Sequence, residues 1–462
     1  MKKQTIHWLV MLSALMVFRG SAAFAQDEAI HAPLTIDDAV YLALKNSSLI
    51  RQAIDAIAIQ EDAEKSVRAD LFPSVSAKYQ YMRLKEAPFV IFQNQQFDLN
   101  GVNEIHWDVS LRQPLFAGFA LVTRHEMEKL GIDVKTEEKR QAILMVVKNV
   151  KTAYFNILLA KQFQKTADEA VDQLAAHTDD AKRFYDQGFV AYNDVLKSQV
   201  ALSDARQKAA TAKSRVEMAL STFNVLVSLP FENKSEVANV TVLPPVPKSI
   251  NPLIAEAIEA RPVIQALRLT AKQADLAVLE AKSAYYPYIS LMGTYEQNGQ
   301  NSTASYNDFG NWHNAGVSIV AQWNLIDWGK RHADVNRRIS EKDALEAKMN
   351  MIEDDIRLEV KQAYLDLTVA DQNIHTAEQT LDQAKEYYRI TNAQYQENFA
   401  SSIDVIDART DLTRAESNYY STLYGYQIAA ADLDQAVGKM AEPGLKKTTK
   451  EDNPLSAEQA AP

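Results

Sequence analysis

The sequence predicts an α+β membrane protein built twice over, in which four membrane-type β-strands are joined to two very long helical pairs. Three observations carry this. The chain contains itself twice, proline is confined to a few places, and alternating segments precede each long helical stretch. Val150-Lys151-Thr152-Ala153-Tyr154 returns 210 positions later as Val360-Lys361-Gln362-Ala363-Tyr364. Tyr185, Phe189 and Asp194-Val195-Leu196 return as Tyr395, Phe399 and Asp404-Val405-Ile406 at the same offset. Nearer the start of each half the offset is 214, since Pro73 answers Pro287 and Leu49-Ile50 answers Val263-Ile264. A period this long means two copies of a domain-sized unit, not a short solenoid repeat. The four-residue difference falls between Pro73 and Pro114 and their counterparts, where a loop absorbs it.

From the N-terminus, Lys2 and Lys3 precede an apolar run from Trp8 to Phe18, then Ala23-Phe24-Ala25 before Gln26. This is the pattern of a secretory signal over residues 1–25, too short to span a bilayer as a helix. Its removal takes away Lys2, Lys3 and Arg19, and so moves the formal net charge from −11 to −14. An acidic mature chain argues against nucleic acid as a partner. There is no cysteine, which excludes disulfides, thiolate chemistry and lipidation on cysteine. A bacterial exported protein fits these features best.

The first repeat is expected over residues 26–230: short helices, a β-hairpin at about 74–116 and a long helical pair at about 119–228. In the hairpin Val75, Ala77, Tyr79 and Tyr81 alternate with Ser76, Lys78 and Gln80, and Ile105, Trp107, Val109 and Leu111 alternate with His106, Asp108, Ser110 and Arg112. That is strand periodicity, with a polar face too wet for a protein core. Apolar toward lipid and polar toward a lumen is the pattern of transmembrane barrel strands. No proline lies between Pro114 and Pro230, and Val146, Val150, Ala153, Tyr154 and Ile157 share one helical face. A helix from about Phe119 to Gln187 would be on the order of 100 Å long, and its narrow apolar stripe must pack on other long helices. Gly188-Phe189 is the turn between the two helices.

A proline-rich linker, 231–251, should run extended to the second repeat, 252–440. There the hairpin is expected at about 288–326, with Ile289, Leu291, Gly293 and Tyr295 facing Val317, Ile319, Ala321 and Trp323. The second helical pair, at about 328–438, contains neither glycine nor proline from Lys330 to Tyr424 and turns at Asn398-Phe399. The tail, 441–462, is polar and proline-containing, with no expectation of fixed structure. The hairpin loops 86–103 and 296–311 read as surface loops, the first carrying Phe89, Ile91, Phe92 and Phe97. Phe72, Tyr285, Tyr286, Tyr288 and Trp328 flank the strands where an interfacial aromatic girdle would lie.

Four strands cannot close a barrel, because an open edge in lipid leaves backbone groups unpaired. Either the strands form an ordinary soluble sheet or several chains share one barrel. The sequence offers no basis for an enzyme: the eight histidines are scattered, His125-Glu126 lacks a second histidine at zinc spacing, and no phosphate loop or nucleophile elbow occurs. No metal or cofactor is expected. A periplasmic coiled-coil adaptor or scaffold is the alternative, although it predicts one helical hairpin flanked by compact β domains.

Leu34-Thr35-Ile36-Asp37-Asp38-Ala39 with Ala43-Leu44-Lys45-Asn46 resembles the opening of TolC-like outer-membrane efflux proteins. So do Gln113-Pro114-Leu115-Phe116, Asp194-Val195-Leu196, and Ala219-Leu220 through Leu229-Pro230, over roughly residues 34–438. The resemblance implies a homotrimer with a twelve-stranded β-barrel in outer-membrane lipid and a helical coiled-coil barrel in the periplasm. A periplasmic adaptor (membrane fusion) protein and an inner-membrane pump are the implied partners, for efflux or type I secretion. It implies a periplasmic gate at Asp404 and Asp407, with Tyr395 and Asp194 as contacts of the closed state. It also implies adaptor contact at the turns Gly188, Phe189, Asn398 and Phe399. Acids in a helix's first turn also complement its dipole, so Asp404 and Asp407 have a purely structural reading as well. Asn398 replaces a turn glycine of the family, and Ala400 stands where its type member has an arginine, so the resemblance carries the carboxylates over to this chain more firmly than any particular salt bridge of the closed state.

Overall fold

The computed structural model describes residues 33–439 apart from residue 241. The expected signal segment at 1–25 and the tail at 441–462 lie outside the described residues. The first half runs α1 (Ile36–Asn46), α2 (Ser48–Ala69), β1 (Ser74–Arg83), β2 (Phe89–Phe92), β3 (Gln95–Asp98), β4 (Asn103–Ala117), α3 (Ala120–Asp186) and α4 (Tyr192–Leu226). The second runs α5 (Asn251–Ala260), α6 (Pro262–Lys282), a 3-10 turn (Ser283–Tyr285), β5 (Tyr288–Gly299), β6 (His313–Gln322), α7 (Lys330–Gln396) and α8 (Ser402–Val437).

The four long strands form one antiparallel sheet in the order β1-β4-β5-β6. Its register sorts the alternation into two continuous faces. Tyr79 opposes Trp107, Val109 opposes Tyr295, and Leu291 opposes Ile319, so the apolar residues of all four strands share one side. The other side carries Ser76, Lys78, Asp108, Ser110, Thr294, Glu296 and Ser318. At one end Tyr79 and Trp107 donate to Ser302 O and Thr303 O of the β5–β6 loop, but among the described residues the rest of the apolar face is left bare, with Val317 78 % exposed. Pro114 is tolerated in a central strand because the register slips there, at a bulge between Pro114 and Phe116. Both outer strands, β1 and β6, have one unpaired edge.

The segment read as a surface loop at 86–103 is instead a second, two-stranded hairpin of β2 and β3. Gln93 and Asn94 take φ 50° and 67° in its two-residue turn, the backbone that favours tight hairpins. Gln-Asn is a weak form of the usual Asn-Gly signal, which is why the strands were illegible.

α3 and α7 each have 67 residues and so run about 100 Å. The layer stays four helices wide along this length by exchanging partners. Toward the sheet α3 is flanked by α2 and α6, with α7 beyond α6; toward the far end it is flanked by α4 and α8, with α7 beyond α8. The short helices thus continue the rows that α4 and α8 begin. Where the exchange occurs, the apolar stripe becomes two cores. Val150, Tyr154 and Ile157 pack with α1 and α4, and Ile356, Val360 and Leu367 pack with α5 and α8. One 18-residue window of α3 is apolar enough to cross a bilayer by composition, yet 56 % of it is buried in the chain, as expected of a core helix.

The extended linker is tied down here. The Tyr154 hydroxyl donates to Ala238 O at 2.6 Å with Leu34 O at 2.9 Å, and Leu34 N donates to Glu236 O at 2.8 Å. In the second half Tyr426 donates to Pro244 O and Gln427 Nε2 to Val242 O at 2.8 Å.

Left-handed backbone recurs at repeat-related positions. Gly118 and Phe119 (φ 59° and 72°) answer Trp328 and Gly329 (53° and 88°) where strand passes into long helix. Gly188 answers Asn398, and Ser228 answers Gly438. The two halves keep the backbone and exchange the residues that adopt it.

Candidate functional site

The two helical hairpins, α3–α4 and α7–α8, end side by side but not level. Gln396, the last residue of α7, donates to the Asp180 carboxylate, and α3 runs six residues further. The α3–α4 tip therefore projects about 9 Å beyond the other.

Both turns close with the same hydrogen bonds. Phe189 N donates to Phe184 O at 2.8 Å beside left-handed Gly188, and Phe399 N donates to Gln394 O at 2.8 Å beside left-handed Asn398. Satisfying the last helix carbonyls this way throws the following side chain outward. Phe399 is 84 % exposed, and Phe189 is 64 % exposed while its inner edge meets Phe184. Gly188 and Asn398 thus shape the turns, and the two phenylalanines present apolar surface at the tips.

Of the expected gate residues, Tyr395 alone is buried, at 1 % exposed. Its ring packs on His177 (4.6 Å between centroids) and Phe184 (5.4 Å). Burial, then the carboxylates of Asp180 and Asp194, pushes its pKa up to about 12. Asp194 is half-buried beside Lys197 at 3.6 Å. Asp404 and Asp407 are exposed on the first turns of α8. Asp404 closes a capping box: its carboxylate accepts from Ser401 N at 2.8 Å and Ser401 Oγ at 2.6 Å. The Ser401 hydroxyl, then its backbone N–H, holds the Asp404 carboxyl below its ordinary range. Asp407 makes no hydrogen bond or ion pair among the described residues. The structure brings Asp404 and Asp407 together with each other but leaves Tyr395 and Asp194 in a separate, inner cluster.

That inner cluster contains residues the sequence reading passed over. His177 Nε2 lies 2.8 Å from Ser402 Oγ, which lies 3.2 Å from Ser198 Oγ, which donates to Asp194 O at 2.7 Å. His177, Ser198 and Ser402 are each at most 2 % exposed. Further up the bundle the buried Arg409 donates to Glu416 at 3.2 Å and to Thr166 O at 3.3 Å, joining α8 to α3. A signal existed for these residues. Leu174, His177 and Ala181 follow seam spacing, as do Val195, Ser198 and Leu202, and Ser402, Val405 and Arg409. A polar residue on an otherwise apolar seam fixes register between helices.

Beside the cluster a groove of about 960 Å³ runs between α3, α4 and α8, lined largely by Leu174, Leu196, Val200, Ile403 and Ile406. Among the described residues none fills it.

The family model described as "Outer membrane efflux protein" matches residues 39–226 and 253–439, once for each half. The outer membrane protein TolC of Salmonella enteritidis is 20 % identical over 431 residues, covering 91 % of this chain and 85 % of that one. The probable efflux pump outer membrane protein TtgC of Pseudomonas putida is 21 % identical over 416 residues, covering 87 % and 83 %. In structure, the CmeC outer membrane channel of Campylobacter jejuni superposes with a TM-score of 0.78 at 18 % identity, covering 88 % of this chain and 86 % of that one.

Proposed function

The chain belongs to the outer membrane efflux protein family, and from that premise we propose that three copies form one gated duct from the periplasm to the cell exterior. As a member of that family it is an outer-membrane transport channel and not an enzyme. The observation that carries the assembly is the bare sheet: an apolar face, a polar face and two open edges. In lipid every edge must be paired, so β1 of one copy has to meet β6 of another. Two copies would give eight strands, a barrel whose interior side chains fill, whereas three give twelve and leave a lumen. The helices support the same closure. α4 and α7 are the flanks of the layer toward the tips, exposing Leu196, Val200, Met218 and Val225 on one and Met351, Leu358, Leu365 and Val369 on the other.

Around a three-fold axis, Asp404 and Asp407 would supply six carboxylates at the inner end. Such a ring repels anions and concentrates cations. Phe189 and Phe399 suit an apolar hairpin of a periplasmic adaptor, which would join the duct to an inner-membrane pump. The substrate passes unchanged, so only positioning and charge are required of these residues. The adaptor or scaffold alternative is disfavoured by the sheet, which as an independent soluble domain would expose most of its apolar face, Val75, Val317 and Ile319 among it.

Purified protein in detergent should have the mass of three chains and give discrete conductance steps in a planar bilayer. A monomer that leaves the membrane fraction without detergent and never conducts would overturn the reading.

A further inference from the structure

Four helices converge on His177: its own α3, α4 through Ser198, α7 through Tyr395 and α8 through Ser402. Counting hydrogens fixes the direction of the chain of bonds. Ser198 has one hydroxyl proton and gives it to Asp194 O, so Ser198 Oγ can only accept from Ser402. Ser402 has then spent its own proton and must accept from His177 Nε2–H. The imidazole is therefore the neutral Nε2–H tautomer. Its Nδ1 is left as a bare lone pair, buried and without a hydrogen-bond partner.

We propose that His177, Ser402 and Ser198 are the latch that holds the α7–α8 tip against α3–α4, and that a proton taken up by His177 opens it. Protonating Nδ1 in place would create a buried cation with an unpartnered N–H donor. The groups facing it offer poor compensation. From α3 it has the Asp180 carboxylate, already shared by Arg183 and by Gln396 of α7. From α4 it has the Ser198 hydroxyl and, beyond it, Asp194, paired with Lys197; from α7 it has the Tyr395 phenol; from α8 it has the Ser402 hydroxyl. Separation of the tips frees Asp180 from Gln396 and lets it take the imidazolium three residues away on its own helix.

The sign follows from linkage. Burial holds the His177 pKa below its ordinary 6.5, with Asp180 opposing. The open form, with an exposed imidazole, binds the proton more tightly, so the latch is fully set above about pH 6.5. Below that it loosens by up to about tenfold per pH unit in each protomer, until the latched imidazole itself titrates. The Asp404 carboxyl, held below its ordinary range by Ser401, does not share this window.

This inference rests on the channel reading for its consequence, but two readouts separate them. Conductance in planar bilayers and hydrogen exchange over residues 398–412, corrected for the intrinsic pH dependence of exchange, would be compared at periplasmic-side pH 7.5 and 5.5. Wild type should show higher conductance and faster exchange at the lower pH. H177Q keeps a donor at the Nε2 position without a titratable proton and should remain closed at both. S402A should conduct more and exchange faster already at pH 7.5. An acid response in H177Q equal to that of wild type, or none in wild-type exchange, overturns the latch. Absence of conductance from every protein at both pH values overturns the channel reading, while exchange still decides the latch.

Discussion

The junction between sheet and long helix offers a comparison that isolates two physical effects. Gly118 and Gly329 both sit there with positive φ, 59° and 88°. An alanine at either position is forced into the left-handed region, at about 1 kcal/mol. Only at Gly118 does the added methyl also collide: it would lie 2.5 Å from Ser283 O and 3.0 Å from Tyr286 Cβ, whereas at Gly329 it meets nothing within 4 Å. The obstacle at Gly118 is backbone, at the 3-10 turn that feeds β5, and it cannot rotate aside. Overpacking of that kind adds about 2 kcal/mol. Gly118→Ala should therefore cost about 3 kcal/mol and Gly329→Ala about 1. Thermal unfolding of the two purified variants, followed by circular dichroism at one scan rate, reads this as apparent Tm. The downshift for Gly118→Ala should be roughly three times that for Gly329→Ala. Equal downshifts would refute the reasoning, since they would mean that backbone conformation alone sets the cost and that Ser283 yields freely.

Tyr154→Phe removes the buried donor that ties the linker to α3 and should cost about 1–3 kcal/mol, seen also as faster exchange at residues 34–36 and 236–239. Ser401→Ala breaks the capping box at a cost of about 1 kcal/mol but leaves both carboxylates in place. In a salt gradient it should keep the cation preference of wild type, which Asp407→Ala, leaving three of the six carboxylates, should weaken. Because the Asp404 carboxyl is held below its ordinary range, its cap is intact above the usual aspartate pKa and is lost as pH falls through the depressed value, below about pH 4. Exchange at the first turn of α8 should rise in that window in wild type and be already high in Ser401→Ala. Phe399→Ala, at the most exposed tip aromatic, should weaken capture of a periplasmic adaptor without changing conductance.

Periodicity made most of this architecture legible. The alternation at Val75–Tyr81 and Ile105–Leu111 marked strands, and the repeat of Val150–Tyr154 at Val360–Tyr364 marked the two long helices and their common face. The β2–β3 hairpin was missed because its turn residues are Gln93 and Asn94 and its aromatics do not alternate cleanly. α5 and α6 were not legible as two helices because Arg261 alone parts them and Pro262 opens α6 with no loop between. At the tips the acids were conspicuous and the buried polar residues were not. His177, Ser198 and Ser402 look unremarkable one at a time, and only the packing of four helices shows that they touch. Asp404 carries the opposite lesson. The family resemblance implied an ion-facing role, whereas its bonds within the protomer are those of a helix cap, as its place in a helix's first turn allowed.

The central claim, that β1 and β6 of neighbouring copies close the barrel, can be tested covalently because the chain has no cysteine of its own. Ser76→Cys in β1 would be combined in turn with Cys at Asn314, Gly316, Ser318, Val320 and Gln322, the β6 residues on the same polar face. Adjacent strands place Cα atoms at about 5.5 Å, within disulfide reach. Oxidised in the outer membrane, at least one pair should give a covalent trimer on a denaturing gel that collapses to monomer on reduction. Monomer alone from all five pairs, or a ladder that runs past three chains, would contradict closure by three copies.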